Sequence, residues 1–78
     1  MLTPAETLIL AKFRFNLQAQ IDKLNVSAKE LERITGVSRY TMNSFLKEAS
    51  NPNSRTPNIK TIARLADGFG IEPVELIQ

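Results

Sequence analysis

The centre of the chain is the segment Ile34-Thr35-Gly36-Val37-Ser38. It separates two short helical segments. On its N-terminal side, Ser27 and Glu30 form a capping box that opens a helix, with Leu31 and Ile34 as inward positions. On its C-terminal side, Ser38 caps a helix that runs to about Glu48, and Met42, Phe45 and Leu46 share its inner face. Gly36 can take the positive φ that turns the chain sharply without a Cβ clash. Val37 can plug the gap between the two helices, and Ser38 can take up amides exposed at the start of the next one. This is the spacing of a helix-turn-helix, at about 27–48. The same Gly-Val-Ser corner also occurs as a purely structural turn, so the flanking residues have to carry the functional reading.

They do so on the outer side of the second helix. Arg39, Tyr40, Asn43, Ser44 and Lys47 are assigned to one outward arc that the core does not require. A generic solvated helix more often pairs Glu with Lys four positions apart. This arc holds hydrogen-bonding and cationic groups with no acid, which suits base edges and phosphates. The B-DNA major groove, about 12 Å wide, admits one such helix. Amides at the helix start, with the positive end of its dipole, are expected to face a phosphate or base edge.

Outward from this centre the chain is punctuated as helix throughout. Thr3-Pro4-Ala5-Glu6 opens a first helix with a cap, a first-position proline and a capping box. Leu10, Phe13, Leu17, Ile21 and Leu24 lie on one face of it, Leu8, Ile9 and Phe15 widen the apolar surface, and Asn25 can end it in the left-handed conformation. Residues 49–58 are dense in turn formers and predict a loop. Asn58 can cap a fourth helix with Ile59, Ile62, Ala63, Ala66 and Phe69 inside, ended by Gly68 and Gly70. Glu72-Pro73-Val74-Glu75-Leu76-Ile77 predicts a short last helix over the core. Strand alternation is weak everywhere. The fold class is therefore all-α, with residues 1–78 as a single domain.

The net charge of +2 is small, but its distribution is uneven. Residues 1–32 balance to zero, residues 33–64 carry +5, and residues 65–78 carry −3. The middle third is where a polyanion is attracted. The chain has neither cysteine nor histidine, which removes disulfides, thiolate metal sites and the commonest general base. The acids are dispersed and no glycine-rich phosphate loop is present, so the sequence predicts no enzyme, no cofactor and no metal. No signal peptide or membrane-spanning run is legible, which predicts a cytoplasmic protein.

The stretch 26–77 resembles the Cro/C1 repressor type of helix-turn-helix domain, the Xre-like regulators of phages and bacteria. The resemblance rests on Ser27-Ala28-Lys29-Glu30-Leu31, on Thr35-Gly36-Val37-Ser38-Arg39-Tyr40-Thr41-Met42, and on Pro57. It continues through Ile62-Ala63-Arg64-Leu65-Ala66-Asp67-Gly68-Phe69-Gly70-Ile71 and Val74-Glu75-Leu76. It implies a compact five-helix bundle like the lambda repressor domain, here with an extended first helix. It also implies a homodimer on double-stranded DNA at a palindromic operator, acting as a transcriptional repressor or switch. Base contacts then fall on Arg39, Tyr40, Asn43 and Ser44. Backbone contacts fall on Ser27, Lys29, Ser38, Thr41, Lys47 and Arg55, and a dimer surface on Val74, Leu76 and Ile77 or on the long first helix. Three departures stand out. Ala28 replaces the usual phosphate-clamping glutamine, Glu32 replaces a small alanine at the helix crossing and needs room or a partner, and the loop before Pro57 is long.

A protein-binding module, such as an antitoxin or a regulator acting through a protein partner, is the alternative; RNA is a weaker one, since no exposed aromatic sheet is expected. The chain is compatible both with a complete small regulator and with the DNA-binding part of a longer repressor.

Overall fold

The computed structural model describes residues 2–48 and 50–78, so Ala49 of the expected loop lies outside the described residues. Among these residues are four α-helices and a closing 3-10 turn: α1 (Pro4–Leu24), α2 (Ala28–Thr35), α3 (Arg39–Leu46), α4 (Ile59–Phe69) and Pro73–Leu76. The last element is a 3-10 turn, not a fifth α-helix. Four residues opened by Pro73 are too few for a stable α segment.

Each helix begins where a side chain can accept an orphan amide. Thr3 and Glu6 form the reciprocal box at α1, with Thr3 N–H donating to the Glu6 carboxylate (2.9 Å) and Glu6 N–H to the Thr3 hydroxyl (3.1 Å). Ser27, Ser38 and Asn58 accept from Glu30, Thr41 and Thr61 in the same way. At α2 only half of the expected box forms, because the Glu30 carboxylate is taken by the Arg33 guanidinium one turn on. Helix ends are equally chemical: Asn25 (φ 51), Gly36 (φ 71) and Gly70 (φ 71) close α1, α2 and α4 in the left-handed region.

Gly68 departs from its expected role. It sits inside α4, which runs on to Phe69. A Cβ there would meet Ile34 O at 2.7 Å and Thr35 Cα at 2.8 Å. The glycine is therefore what lets α4 lie directly on α2.

Phe13, Leu17, Leu31, Val37, Met42, Phe45, Leu65, Ala66 and Leu76 form the buried core, one or more from every element. Phe13 of α1 meets Phe45 of α3 edge to face, with ring centroids 5.9 Å apart. Val37 is buried in the turn, as its size and position predict, and its N–H donates to the Thr35 hydroxyl (3.2 Å). Leu76 is buried as well, which corrects its assignment to a dimer surface; Val74 and Ile77 stay exposed beside it. This packing fixes α3 from below by Met42 and Phe45 and leaves its other side free. No helix among the described residues is long and apolar enough to cross a membrane.

Candidate nucleic-acid interface

Arg39, Tyr40 and Asn43 are all exposed on α3, and Tyr40 keeps 70% of its surface. The register that buries Met42 and Phe45 turns Tyr40 to the opposite side, with Arg39 and Asn43 flanking it at the edge of the buried face. Lys47, the C-cap of α3, is half-buried. Ser27 and Lys29 are exposed at the start of α2, and Ser38 is exposed at the start of α3.

Ser44 does not belong to the arc. It is 3% exposed, and its hydroxyl donates to the Thr41 carbonyl (2.6 Å). The cover comes from the loop after α3, whose Arg55 N–H donates to the Ser44 carbonyl (3.1 Å). The physical cause is that α3 stops at Leu46 and not at Glu48, so the Ser44 carbonyl has lost its helical partner and the loop supplies one. The Ser54 hydroxyl donates likewise to the Lys47 carbonyl (3.2 Å). Two contacts thus hold the long loop against the end of α3.

The N-terminus of α3 also differs from expectation. The Arg39 amide donates to the carboxylate of Glu32, on α2. The Thr41 amide donates to the Ser38 hydroxyl (3.1 Å), and the Ser38 hydroxyl donates to that of Thr41 (2.9 Å). Amides expected to face a phosphate are therefore partly satisfied within the protein. Glu32 also finds the partner that its unusual place at the crossing requires.

Charge is arranged around this surface rather than across it. Arg55, exposed in the loop, stands over the ring of Tyr40 with the guanidinium carbon 5.8 Å from the centroid. Arg14 of α1 reaches Glu48 just past α3, at 3.5 Å, too long for a strong pair. The hydrogen bond from Arg33 holds the Glu30 carboxyl below the usual carboxylate range, and Glu30 in turn raises the Arg33 guanidinium. A cleft of about 380 Å³ is lined by residues of α1, α2 and α3, Glu32, Arg39 and Asn43 among them. Among the described residues no cluster of three acids, histidines or cysteines could hold a metal.

The glutamate partner of Arg39, the inward turn of Ser44 and the placement of Arg55 over Tyr40 were not read from the sequence. Glu32 did carry a signal, as a charged residue at a crossing where it needs room or a partner.

The comparisons agree with this geometry. The family model described as Cro/C1-type HTH DNA-binding domain matches residues 16–78. No curated protein and no solved structure matches the chain significantly. That match takes in all of α2, α3 and α4, and the chain belongs to the Cro/C1-type HTH DNA-binding domain family.

Proposed function

We propose that residues 1–78 act as one sequence-specific double-stranded DNA-binding domain of a transcriptional regulator, with α3 lying in the major groove. The observation that carries this reading is the division of α3 itself. Met42 and Phe45 anchor it in the core while Arg39, Tyr40 and Asn43 stand exposed on the other side. Arg39 is suited to guanine O6 and N7, and Asn43 to adenine N6 and N7. Ser27 and Lys29 at the start of α2, Thr41 in α3, its caps Ser38 and Lys47, and Arg55 of the following loop are the candidates for the phosphates, which would set the register of α3 on the duplex.

Repression or switching by a homodimer on a palindromic operator is the mode that fits a reader of this size. Two copies would present α3 to successive major grooves about 34 Å apart. Val74 and Ile77 remain available for the contact between copies, as do Leu8, Ile9 and Phe15 on the outer side of α1. Those three residues of α1 precede the part of the chain that matches the family. They also favour the second reading, in which the chain grips another protein.

Selection of bound sequences from random duplex DNA at near-physiological salt tests the proposal. The expected result is an enriched motif with two related halves, bound with an affinity that falls steeply with salt as counterions are released. Recovery of no motif, with binding that salt does not weaken, would favour a protein partner instead.

A further inference from the structure

We infer that Tyr40 is a positioning residue for Arg55, whose guanidinium it holds ready for the duplex. This rests on the DNA-binding reading above and extends it from which side chains meet the duplex to how one of them is held. Two sets of contacts carry it. The loop is fastened at its backbone, by Arg55 N–H on the Ser44 carbonyl and by the Ser54 hydroxyl on the Lys47 carbonyl. The Arg55 side chain is then laid over the ring of Tyr40, 5.8 Å from guanidinium carbon to centroid.

Each contact has a consequence. An arginine on a free exposed loop loses much rotamer freedom when it binds. One already held against a ring loses less, so its contact is stronger for the same hydrogen bonds. A guanidinium held over a ring by its charge keeps its N–H donors for other partners. Those donors suit oxygen-rich acceptors of a duplex, either phosphate oxygens or the O6 and N7 of guanine. Tyr40 is correspondingly reassigned: with Arg55 over one face, its ring serves as a platform for the guanidinium more readily than as a reader of a thymine methyl. Both residues are exposed, and Tyr40 follows Arg39 on α3, so a duplex seated on α3 is within reach of the ring and of the arginine over it.

A double-mutant cycle tests this, using the duplex recovered by selection and a scrambled duplex of equal length. Arg55→Ala and Tyr40→Ala should each weaken binding to the recovered duplex by about tenfold, within the usual size of one arginine contact. The double variant should also lose about tenfold, since Tyr40 acts through Arg55. Tyr40→Phe, which keeps the ring, should restore most of what Tyr40→Ala loses. In the free protein, ring-current shifts of the Arg55 side-chain protons should be present, survive Tyr40→Phe and vanish in Tyr40→Ala. A reduced salt slope in Arg55→Ala would identify phosphate as the acceptor. An unchanged slope with relaxed base preference would identify guanine.

Losses that multiply to about a hundredfold in the double variant would overturn the coupling while leaving DNA binding intact. An Arg55→Ala variant that binds like the parent would overturn the contact. Failure of the parent chain to bind any duplex, with the ring-current shifts present, would instead remove the DNA-binding reading and this inference with it.

Discussion

Glu32 on α2 accepts the backbone N–H of Arg39, the first residue of α3. The bond crosses the turn that defines the motif and joins its two helices at the end that faces outward. It also sets a negative charge against the positive end of the α3 dipole, which is stabilising for the fold. For a polyanionic partner the same charge is unfavourable. Folding and DNA binding therefore pull in opposite directions at this residue.

Separating the two requires a pair of variants. Glu32→Ala should destabilise the protein by about 1 kcal/mol, the usual size of a lost helix cap. In a chain of this length that lowers the melting temperature by roughly 4–8 °C. Glu32→Gln keeps an acceptor for the Arg39 amide and removes the charge. It should retain more stability than Glu32→Ala and bind duplex DNA a few-fold more tightly than the parent, by the loss of one repulsive charge. Thermal melts monitored by circular dichroism and DNA titrations at two salt concentrations would measure both effects.

Gly36 and Gly68 should fail in different ways. At Gly36 (φ 71) a Cβ would meet nothing within 4 Å, so Gly36→Ala carries only the backbone cost of the left-handed region, about 1–2 kcal/mol. Asn25 already holds that conformation in this chain, so Gly36→Asn should recover part of the loss. At Gly68 the Cβ would meet α2 backbone, so Gly68→Ala should cost roughly 1–3 kcal/mol through displacement of α4. Gly68→Asn should be worse, not better. Chemical denaturation of the four variants would show whether asparagine helps at one site and harms at the other.

These sites show what was legible in the sequence and what was not. Caps at Thr3, Ser27, Ser38 and Asn58 could be read because they depend on residues three apart. The ends at Asn25 and Gly36 could be read because few residues tolerate positive φ. Gly68 was legible only as punctuation, because its reason lies in α2, far away in the chain. Ser44 was misplaced for a related cause: it is the returning loop, through Arg55, that covers it. Leu76 belongs to the core because the closing turn folds back on the bundle, which its neighbours Val74 and Ile77 do not reveal.

The start of α1 should respond to acid. Hydrogen bonds from the Thr3 backbone, and then its side chain, hold the Glu6 carboxyl below its ordinary value. A carboxyl lowered in the folded state stabilises above its unfolded pKa and loses that contribution as pH falls through the folded one. Since Glu6 is exposed, the loss should appear as fraying of the first turn of α1 rather than as global unfolding. An NMR titration should give Glu6 a midpoint below the usual glutamate value. Thr3→Ala, which keeps the backbone donor, should move that midpoint only part of the way back.

Within the proposed interface, Arg39 and Ser44 should separate cleanly. Arg39→Ala should weaken specific binding by roughly 1–3 kcal/mol and relax base preference at one position. Ser44→Ala, whose hydroxyl is turned inward to Thr41, should leave base preference unchanged. Repeating the selection from random duplex DNA with each variant would compare the recovered motifs directly.

Backbone amide shifts of the free chain and of the chain bound to its selected duplex give the most direct test of α3 as the reading helix. The largest changes are expected at Arg39, Tyr40 and Asn43, with smaller ones at Ser27, Lys29 and Arg55. Largest changes on the closing turn or the outer side of α1, with α3 undisturbed, would contradict that role.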